Sequence, residues 1–194
     1  MKVVAFNTSP HEHGNTYHLL KRVLSALEAE GIETELVFIG GEAISGCIAC
    51  LECRKNKDGH CAIDTDCIND CIDRMVAADG IIIGTPTHFA DLTPAAKALV
   101  DRSGYVTLGN GGLLARKVGA AVVAVRRAGA IHAYDSINHL FGICNMMAVG
   151  ASYWNLGIGL KGNDVESDDE GMRTMDNLGR NMAWLIKAIN AYGK

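Results

Sequence analysis

Five short apolar segments alternate with segments of helical periodicity along this chain. A near-continuous apolar run is typical of a strand in a parallel sheet that is covered on both faces. Strands that alternate with helices predict a doubly wound α/β fold with right-handed crossovers. The predicted strands are 2–8, 33–39, 80–84, 118–125 and 149–158, and the predicted helices are 15–30, 65–78, one that begins at 93, 136–146 and 172–192.

The length of 194 residues allows a sizeable core, and we predict a single domain over 1–194. The second strand opens with polar residues, so we expect it near an edge of the sheet. Residues 40–64 show no clear periodicity, and a loop this long is uncommon in a compact domain unless it is functional. Two further loops are expected over 104–116, which is rich in glycine, and over 159–171, which is acidic.

Three loops follow predicted strands and carry the candidate ligand residues. Ligands of doubly wound sheets bind beyond the carboxyl ends of the strands, so we expect the three loops to converge. The candidates are Ser9, Pro10, Gly14, Asn15 and Thr16 in the first loop, Pro86, Thr87, His88 and Phe89 in the second, and Arg126, Arg127, Ala128 and Gly129 in the third.

The first loop offers neutral donors to a phosphate at the start of a helix. It contains neither the P-loop pattern GxxxxGK[ST] nor the dinucleotide pattern GxGxxG, and it contains no lysine. Hydroxyls and amides without a fixed cation fit a tightly held monophosphate, such as that of FMN. The alternative is a plain turn in which Thr16 caps the helix.

The second and third loops contain groups that fit a planar ring. An aromatic or imidazole side chain beside the rigid Pro86 could flank such a ring; alternatively, Phe89 is core and His88 is a surface residue. Arg126 and Arg127 could face the ring, the phosphate of a nicotinamide donor or carboxylates of a neighbouring subunit. Their alternative is a solvated strand end.

Four of the seven cysteines lie within fifteen residues and form the pattern C-x2-C-x2-C-x7-C. The four are Cys47, Cys50, Cys53 and Cys61. Four thiolates at this spacing can hold a [4Fe–4S] cluster, whereas four-cysteine zinc sites usually show two CxxC pairs with a longer spacer. The alternatives are an empty reduced loop and a redox-labile thiol set. The other three cysteines are expected to be buried and inert: Cys67, Cys71 and Cys144.

The net charge of −4 argues against broad nucleic-acid binding. The chain shows no apolar segment long enough to span a bilayer and no signal-peptide pattern, so we expect a cytoplasmic protein without membrane contact. In a reducing compartment, a cysteine cluster indicates metal binding or redox chemistry rather than disulfides.

These motifs together resemble those of the iron–sulfur flavoproteins and of the related flavodoxin-like NAD(P)H-dependent FMN reductases. The resemblance extends along essentially the whole chain. It rests on Ser9-Pro10 with Gly14-Asn15-Thr16, the cysteine motif 47–61, the segment 85–89, and Lys97 with Asp101-Arg102.

The resemblance implies a five-stranded parallel sheet in the order 2-1-3-4-5 and FMN at the three loops. The first loop would hold the phosphate, residues 86–89 would line the isoalloxazine ring, and residues 126–129 would complete the pocket. The four motif cysteines would hold the cluster. It also implies homodimers or homotetramers, in which a cluster of one subunit lies near a flavin of another, and a ferredoxin-type electron donor.

The chain departs from the family pattern in two respects. His11 and His13 stand where basic residues or asparagine are frequent, so the phosphate contact is expected to depend on pH. His88 stands where a tyrosine is usual beside the flavin, and a hydrogen bond or proton from His88 is the one catalytic contribution considered.

The sequence therefore predicts an FMN oxidoreductase that moves electrons between a reduced donor, a [4Fe–4S] cluster and FMN. One alternative is a clusterless reductase of FMN or quinones that uses NAD(P)H. The other is a non-enzymatic electron carrier or thiol redox sensor.

Overall fold

The structure is a computed structural model and describes residues 1–193. The last residue of the predicted domain, Lys194, lies outside the described residues. The apolar segments form one parallel sheet whose strands are β1 (Lys2–Asn7), β2 (Glu33–Phe38), β3 (Gly80–Pro86), β4 (Val118–Val125), β5 (Met147–Ala148) and β6 (Leu156–Ile158).

The strand order is β2-β1-β3-β4-β5, which confirms the predicted order, and β2 lies at one edge as expected. All pairings are parallel, and the register brings the carboxyl ends of neighbouring strands to one side of the sheet. β6 pairs with the last three residues of β4, so the chain after β6 reaches the same side.

Six helices cover the two faces of the sheet. They are α1 (Asn15–Ala29), α2 (Glu52–Asn56), α3 (Ile68–Ala77), α4 (Pro94–Gly109), α5 (Ala130–Ile143) and α6 (Asp169–Tyr192). Helices α1 and α6 pack on one face, against the alternate strand residues that include Val3 and Ala5. Helices α3, α4 and α5 pack on the other face, against Val4 and Phe6. This burial of both faces explains the continuous apolar runs of the central strands.

The predicted fifth strand, 149–158, is wrong over its first seven residues, because residues 149–155 leave the sheet and only Leu156–Ile158 form a strand within that range. The strand has a neighbour on one side only, so no second set of backbone hydrogen bonds holds it straight. Asn155 is buried and its side chain donates to the Val149 carbonyl. This hydrogen bond joins the two ends of the segment that leaves the sheet. Tyr153 and Trp154, which made this segment read as a continuous strand, are half-exposed.

The predicted loop over 104–116 is also wrong in its first half, because α4 continues to Gly109. Gly104 allows α4 to approach α5 closely: a Cβ atom there would lie 3.1 Å from Leu140 Cδ1. Val106 is buried in the same stretch. These contacts outweigh the low helix propensity of glycine, which costs about 1 kcal/mol relative to alanine.

Three helices begin at other residues than predicted. α3 begins later, at Ile68, whereas α5 begins six residues earlier, at Ala130, and α6 begins at Asp169. The start of α6 is set by Asp168, whose carboxylate accepts a hydrogen bond of 3.0 Å from the Gly171 amide. A short 3₁₀ turn, Asp164–Ser167, lies in the acidic segment that was expected as a plain loop.

Candidate functional site

A cleft of about 590 Å³ opens at the carboxyl ends of the strands, where the three predicted loops converge. Nine of the predicted residues line it: Ser9, Pro10, Gly14, Asn15, Thr16, Pro86, Thr87, His88 and Arg126. The cleft is the position at which a doubly wound sheet binds its ligand.

The first loop is held by hydrogen bonds to the neighbouring strand and within itself. The Thr8 hydroxyl donates to the Gly84 carbonyl at 2.8 Å, and Ser9 Oγ accepts from the His11 amide at 3.1 Å. Asn7 braces the loop from the end of β1, since its side chain bonds the Ser9 amide and the Glu12 carbonyl. The loop is therefore shaped before any ligand arrives.

Two hydroxyl groups lining the cleft are buried and lack a hydrogen-bond partner, Thr16 Oγ1 and Thr87 Oγ1. Thr16 is only 1 % exposed. The N-cap of α1 is Gly14, and no side chain caps this helix. The alternative in which Thr16 caps the helix is therefore wrong. Buried donors without partners at an uncapped helix start fit an anionic oxygen-rich group such as phosphate.

The second loop brings Thr87 and His88 into the cleft but turns Phe89 away from it. The backbone amides and carbonyls of His88 and Asp91 bond each other, and the two residues between them have positive φ, 47° at Phe89 and 68° at Ala90. The Phe89 side chain is 100 % exposed and does not line the cleft. A contact between Phe89 and a ring in its own cleft stays a prediction.

The third loop contributes Arg126 to the cleft. Arg127 and Ala128 are exposed and lie outside the lining, and Gly129 adopts a left-handed conformation (φ 90°) at the start of α5. Gly129 packs on the second loop, since a Cβ atom there would lie 3.3 Å from Thr87 Cγ2. The loop thus shapes the site mainly by supporting its neighbour.

A fourth wall of the cleft was missed from the sequence. It consists of Gly159, Leu160 and Gly162, which follow β6. Asn15 Oδ1 accepts a hydrogen bond from the Val165 amide at 3.2 Å and so ties this wall to the first loop. The available signal was a glycine-containing segment that follows a strand.

Gly40, at the end of β2, packs directly against the first loop. A Cβ atom at this position would overlap the carbonyl group of Ser9. We expect Gly40→Ala to lower the free energy of unfolding by about 1–3 kcal/mol, because the first loop must shift. Urea denaturation measures this. Gly46→Ala is the matched control, since no atom lies within 4 Å of its added Cβ, and a cost at Gly40 no larger than at Gly46 would contradict the packing.

The four motif cysteines surround one small pocket, with an enclosed volume of about 20 Å³. Cys53 is buried in α2, Cys47 and Cys61 are half-buried, and Cys50 is exposed. Burial and the three neighbouring thiols raise the pKa of the Cys53 thiol. We call residues 47–61 the cysteine loop.

Arg102 is a residue of α4, and its side chain binds the cysteine loop to this helix. Its side chain is fully buried, and Nε donates to Cys61 Sγ at 3.3 Å. The remaining donors reach the Ser45 carbonyl (3.1 Å), the Ile63 carbonyl (2.7 Å) and the Asp66 carboxylate (2.6 Å). One guanidinium therefore joins both ends of the segment that contains the loop. The sequence signal was a charged residue on the buried stripe of a helix, between Leu99 and Val106.

The backbone of the cysteine loop is strained beside Cys50. Ala49 and Leu51 both have positive φ, 53° and 61°, which costs about 1–2 kcal/mol each for a residue with a side chain. The Ala49 amide thereby points at Cys47 Sγ, at 3.4 Å. Backbone amides that point at sulfur are a feature of iron–sulfur sites, and the Ala49 amide is one such donor here.

Within residues 1–193, no group of three or more histidine, cysteine or acidic side chains is placed to hold a single metal ion. Elsewhere, Cys71 and Cys144 are buried as expected and Cys67 is half-buried. Burial raises the pKa of all three thiols.

The described helices include none that combines the length and the apolar character needed to cross a membrane.

A sequence profile of the family described as NADPH-dependent FMN reductase matches residues 1–161. Among curated proteins, an iron–sulfur flavoprotein of Methanocaldococcus jannaschii is 36 % identical over 196 residues, covering 97 % of this chain and 99 % of the relative.

Solved structures show the same fold. RosB, solved with bound 8-demethyl-8-formylriboflavin-5′-phosphate, superposes with a TM-score of 0.77 at 20 % identity and covers 98 % of this chain and 81 % of its own. A flavodoxin from the domain Archaea superposes with a TM-score of 0.62 at 15 % identity, over 96 % of this chain and 99 % of its own. The fold is flavodoxin-like.

Proposed function

This chain belongs to the NADPH-dependent FMN reductase family and is a flavin-dependent oxidoreductase, and from that premise we propose that it passes electrons between a [4Fe–4S] cluster on the cysteine loop and FMN in the cleft. When bound, FMN supplies hydride and electron transfer, and the cluster supplies single-electron transfer. The protein holds both groups, keeps them oriented and tunes their potentials.

The observation that carries this proposal is the donor arrangement around the cysteine sulfurs. The Ala49 amide and the Arg102 guanidinium already donate to two of the four thiols. Hydrogen bonds to the sulfurs and nearby positive charge stabilise a reduced, more negative cluster and set its potential. A merely structural loop would not require two strained residues beside an exposed cysteine.

In the cleft, we propose that Ser9, Gly14, Asn15 and Thr16 hold the FMN phosphate. These residues line one cleft at the start of α1, and Thr16 brings a hydroxyl that lacks another partner. The isoalloxazine ring then lies along Pro86, Thr87 and His88, which line the same cleft together with Arg126. The His88 ring is exposed to the cleft and is proposed to donate a hydrogen bond to the flavin.

We further propose a ferredoxin-type donor, a cytoplasmic location, and a homodimer or homotetramer. Cys50 leaves one side of the cysteine loop open to solvent, and Arg54 and Lys57 are exposed beside it. Positive charge near the cluster is complementary to the surface of an acidic electron-transfer protein, and it raises the rate at which the two proteins associate. In an oligomer, the cluster of one subunit would lie near the flavin of another.

Thr16→Val tests the phosphate contact. Valine keeps the shape of threonine and removes the hydroxyl, so FMN affinity is expected to fall about tenfold to hundredfold, as for a lost hydrogen bond to a charged group. Riboflavin, which lacks the phosphate, should bind both proteins equally. Quenching of flavin fluorescence measures both affinities.

Thr107→Val is the matched control for this prediction. Thr107 carries a third buried hydroxyl without a partner, but it lies in α4 and does not line the cleft. Equal losses of FMN affinity in the two variants would show that the phosphate lies elsewhere.

The clusterless reductase that uses NAD(P)H is the second candidate function. One observation favours it: the family profile is that of NADPH-dependent FMN reductases. In this alternative, the cysteine loop is structural and hydride passes directly from the nicotinamide to the flavin.

Anaerobic reduction of the FMN-loaded protein separates the two functions. We expect reduced ferredoxin to bleach the flavin absorbance in the wild type and to do so much more slowly in Cys50→Ala. Two results together would overturn the proposal in favour of the clusterless reductase. NADPH would bleach the flavin quickly and equally in the wild type and Cys50→Ala, and reduced ferredoxin would not bleach it.

A further inference from the structure

We propose that His11 and His13 supply the pH-dependent positive charge that recognises the FMN phosphate, so that the protein binds FMN more tightly in slightly acidic than in slightly alkaline solution. This inference rests on the proposed function, because it assumes that the phosphate lies at the first loop. It gives a direction and a test to the pH dependence expected from the sequence, and it concerns two residues that line the cleft.

The charge balance of the first loop calls for a cation. A phosphate monoester carries about −1.5 to −2 charges near neutral pH. The neutral donors and the start of α1, equivalent to about half a positive charge, offset only part of this. No lysine of the described chain lines the cleft, and Arg126 is the one arginine that does. Arg126 follows β4 and lies in the third loop rather than in the first.

The two imidazoles are held near the loop by different contacts. The His11 amide donates to Ser9 Oγ, and its carbonyl accepts from the Gly14 amide at 3.2 Å. The His13 ring packs edge-on against Tyr17, with 4.9 Å between ring centroids. Both histidines are exposed, so their rings can exchange protons with solvent and still turn towards a phosphate.

Several other charged or titratable groups surround this loop. Glu12 lies between the two histidines, and His18 of α1 is paired with Glu166 at 2.9 Å. The other groups on neighbouring elements include Tyr17, His88, Arg126, Lys161 and Asp164, whose carboxylate accepts from the Leu160 and Lys161 amides. Arginine, lysine and tyrosine keep their charge state between pH 6 and 8, and carboxylates stay ionised. Histidine is the side chain that changes charge in this range, which leaves His88 and His18 as competing sources of a pH effect.

The sign of the pH dependence distinguishes the proposal from phosphate recognition by neutral donors alone. A phosphate monoester gains its second charge near pH 6, so neutral donors and the helix start bind it equally or more tightly as pH rises. Protonated histidines reverse this trend, because they lose their charge over the same range. We therefore expect FMN affinity to fall roughly tenfold between about pH 6 and about pH 8.

The test is a fluorescence titration of the full chain with FMN and with riboflavin at several pH values. The expected result is a roughly tenfold fall for FMN from pH 6 to pH 8 in the wild type, no such fall for riboflavin, and a flat or rising FMN profile in the double variant His11→Asn/His13→Asn. The single variants should lie between. His139→Asn is the matched control, since this exposed histidine of α5 does not line the cleft, and it should keep the wild-type profile.

Three outcomes would overturn the inference. They are a flat or rising FMN profile in the wild type, a wild-type slope that persists in the folded double variant, and an equal slope for riboflavin. Persistence would assign the effect to His88 or His18. A protein that binds FMN tightly without this pH dependence fails only the inference, whereas a protein that binds no flavin at any pH fails the proposed function as well.

Discussion

Arg102→Met is expected to lower the free energy of unfolding by about 3–5 kcal/mol. The guanidinium and the Asp66 carboxylate form a buried ion pair, with side chains 0 % and 3 % exposed. Methionine fills much of the same space but leaves Asp66 charged and without its partner. It also leaves the Ser45 and Ile63 carbonyls without their donor. Urea denaturation of the wild type and the variant measures the loss.

Lys97→Met is the matched control, because it removes a cation from the same helix. Lys97 forms an exposed ion pair with Asp101, four residues along α4. Exposed ion pairs of this kind contribute less than ~1 kcal/mol to the free energy of unfolding. If Arg102→Met lowered the free energy of unfolding no more than Lys97→Met, Arg102 would not be the residue that holds the cysteine loop on α4.

Cys50→Ala is expected to abolish the cluster while the protein remains folded and keeps its flavin. A [4Fe–4S] cluster needs four thiolates, so iron should fall from about four per chain to below about one. Because Cys50 is exposed, the change leaves no cavity in the core. FMN content should not change, since Cys50 does not line the cleft. Iron, sulfide and flavin assays on the same anaerobic samples give the result.

Cys144→Ala provides the comparison for this change. Cys144 is buried in the core against the sheet and lies outside the cysteine loop. Its replacement should cost stability but should leave iron and sulfide at the wild-type level. Equal iron contents in the wild type and Cys50→Ala would exclude a cluster held by the four motif cysteines.

The sequence predicted the sheet and the three loops because buried strands and their polar ends leave a strong local pattern. The prediction of the fifth strand was wrong for a physical reason. Tyr153 and Trp154 are as apolar as core residues, and the pattern does not reveal that the strand has one neighbour only. The prediction of a loop through Gly104 was wrong because the helix there is stabilised by close packing on Leu140. Local helix propensity carries no information about such tertiary packing.

The candidate site was predictable for the loops after β1, β3 and β4, and it was missed where pairing brings in residues from far along the chain. Gly159 and Leu160 enter the cleft because β6 pairs with the end of β4. The role of Arg102 depends on partners that lie 36 to 57 residues earlier in the chain. Its position on a buried helical stripe indicated a partner but could not name one.

The central claim is that one chain holds both FMN and a [4Fe–4S] cluster. The most direct measurement is the amount of iron, acid-labile sulfide and flavin per chain in wild-type protein purified without oxygen. We expect about one FMN, about four iron and about four sulfide per chain, with FMN released by acid as the phosphorylated flavin. Stoichiometric FMN without iron or sulfide would contradict the cluster, and a protein without flavin affinity would contradict the account as a whole.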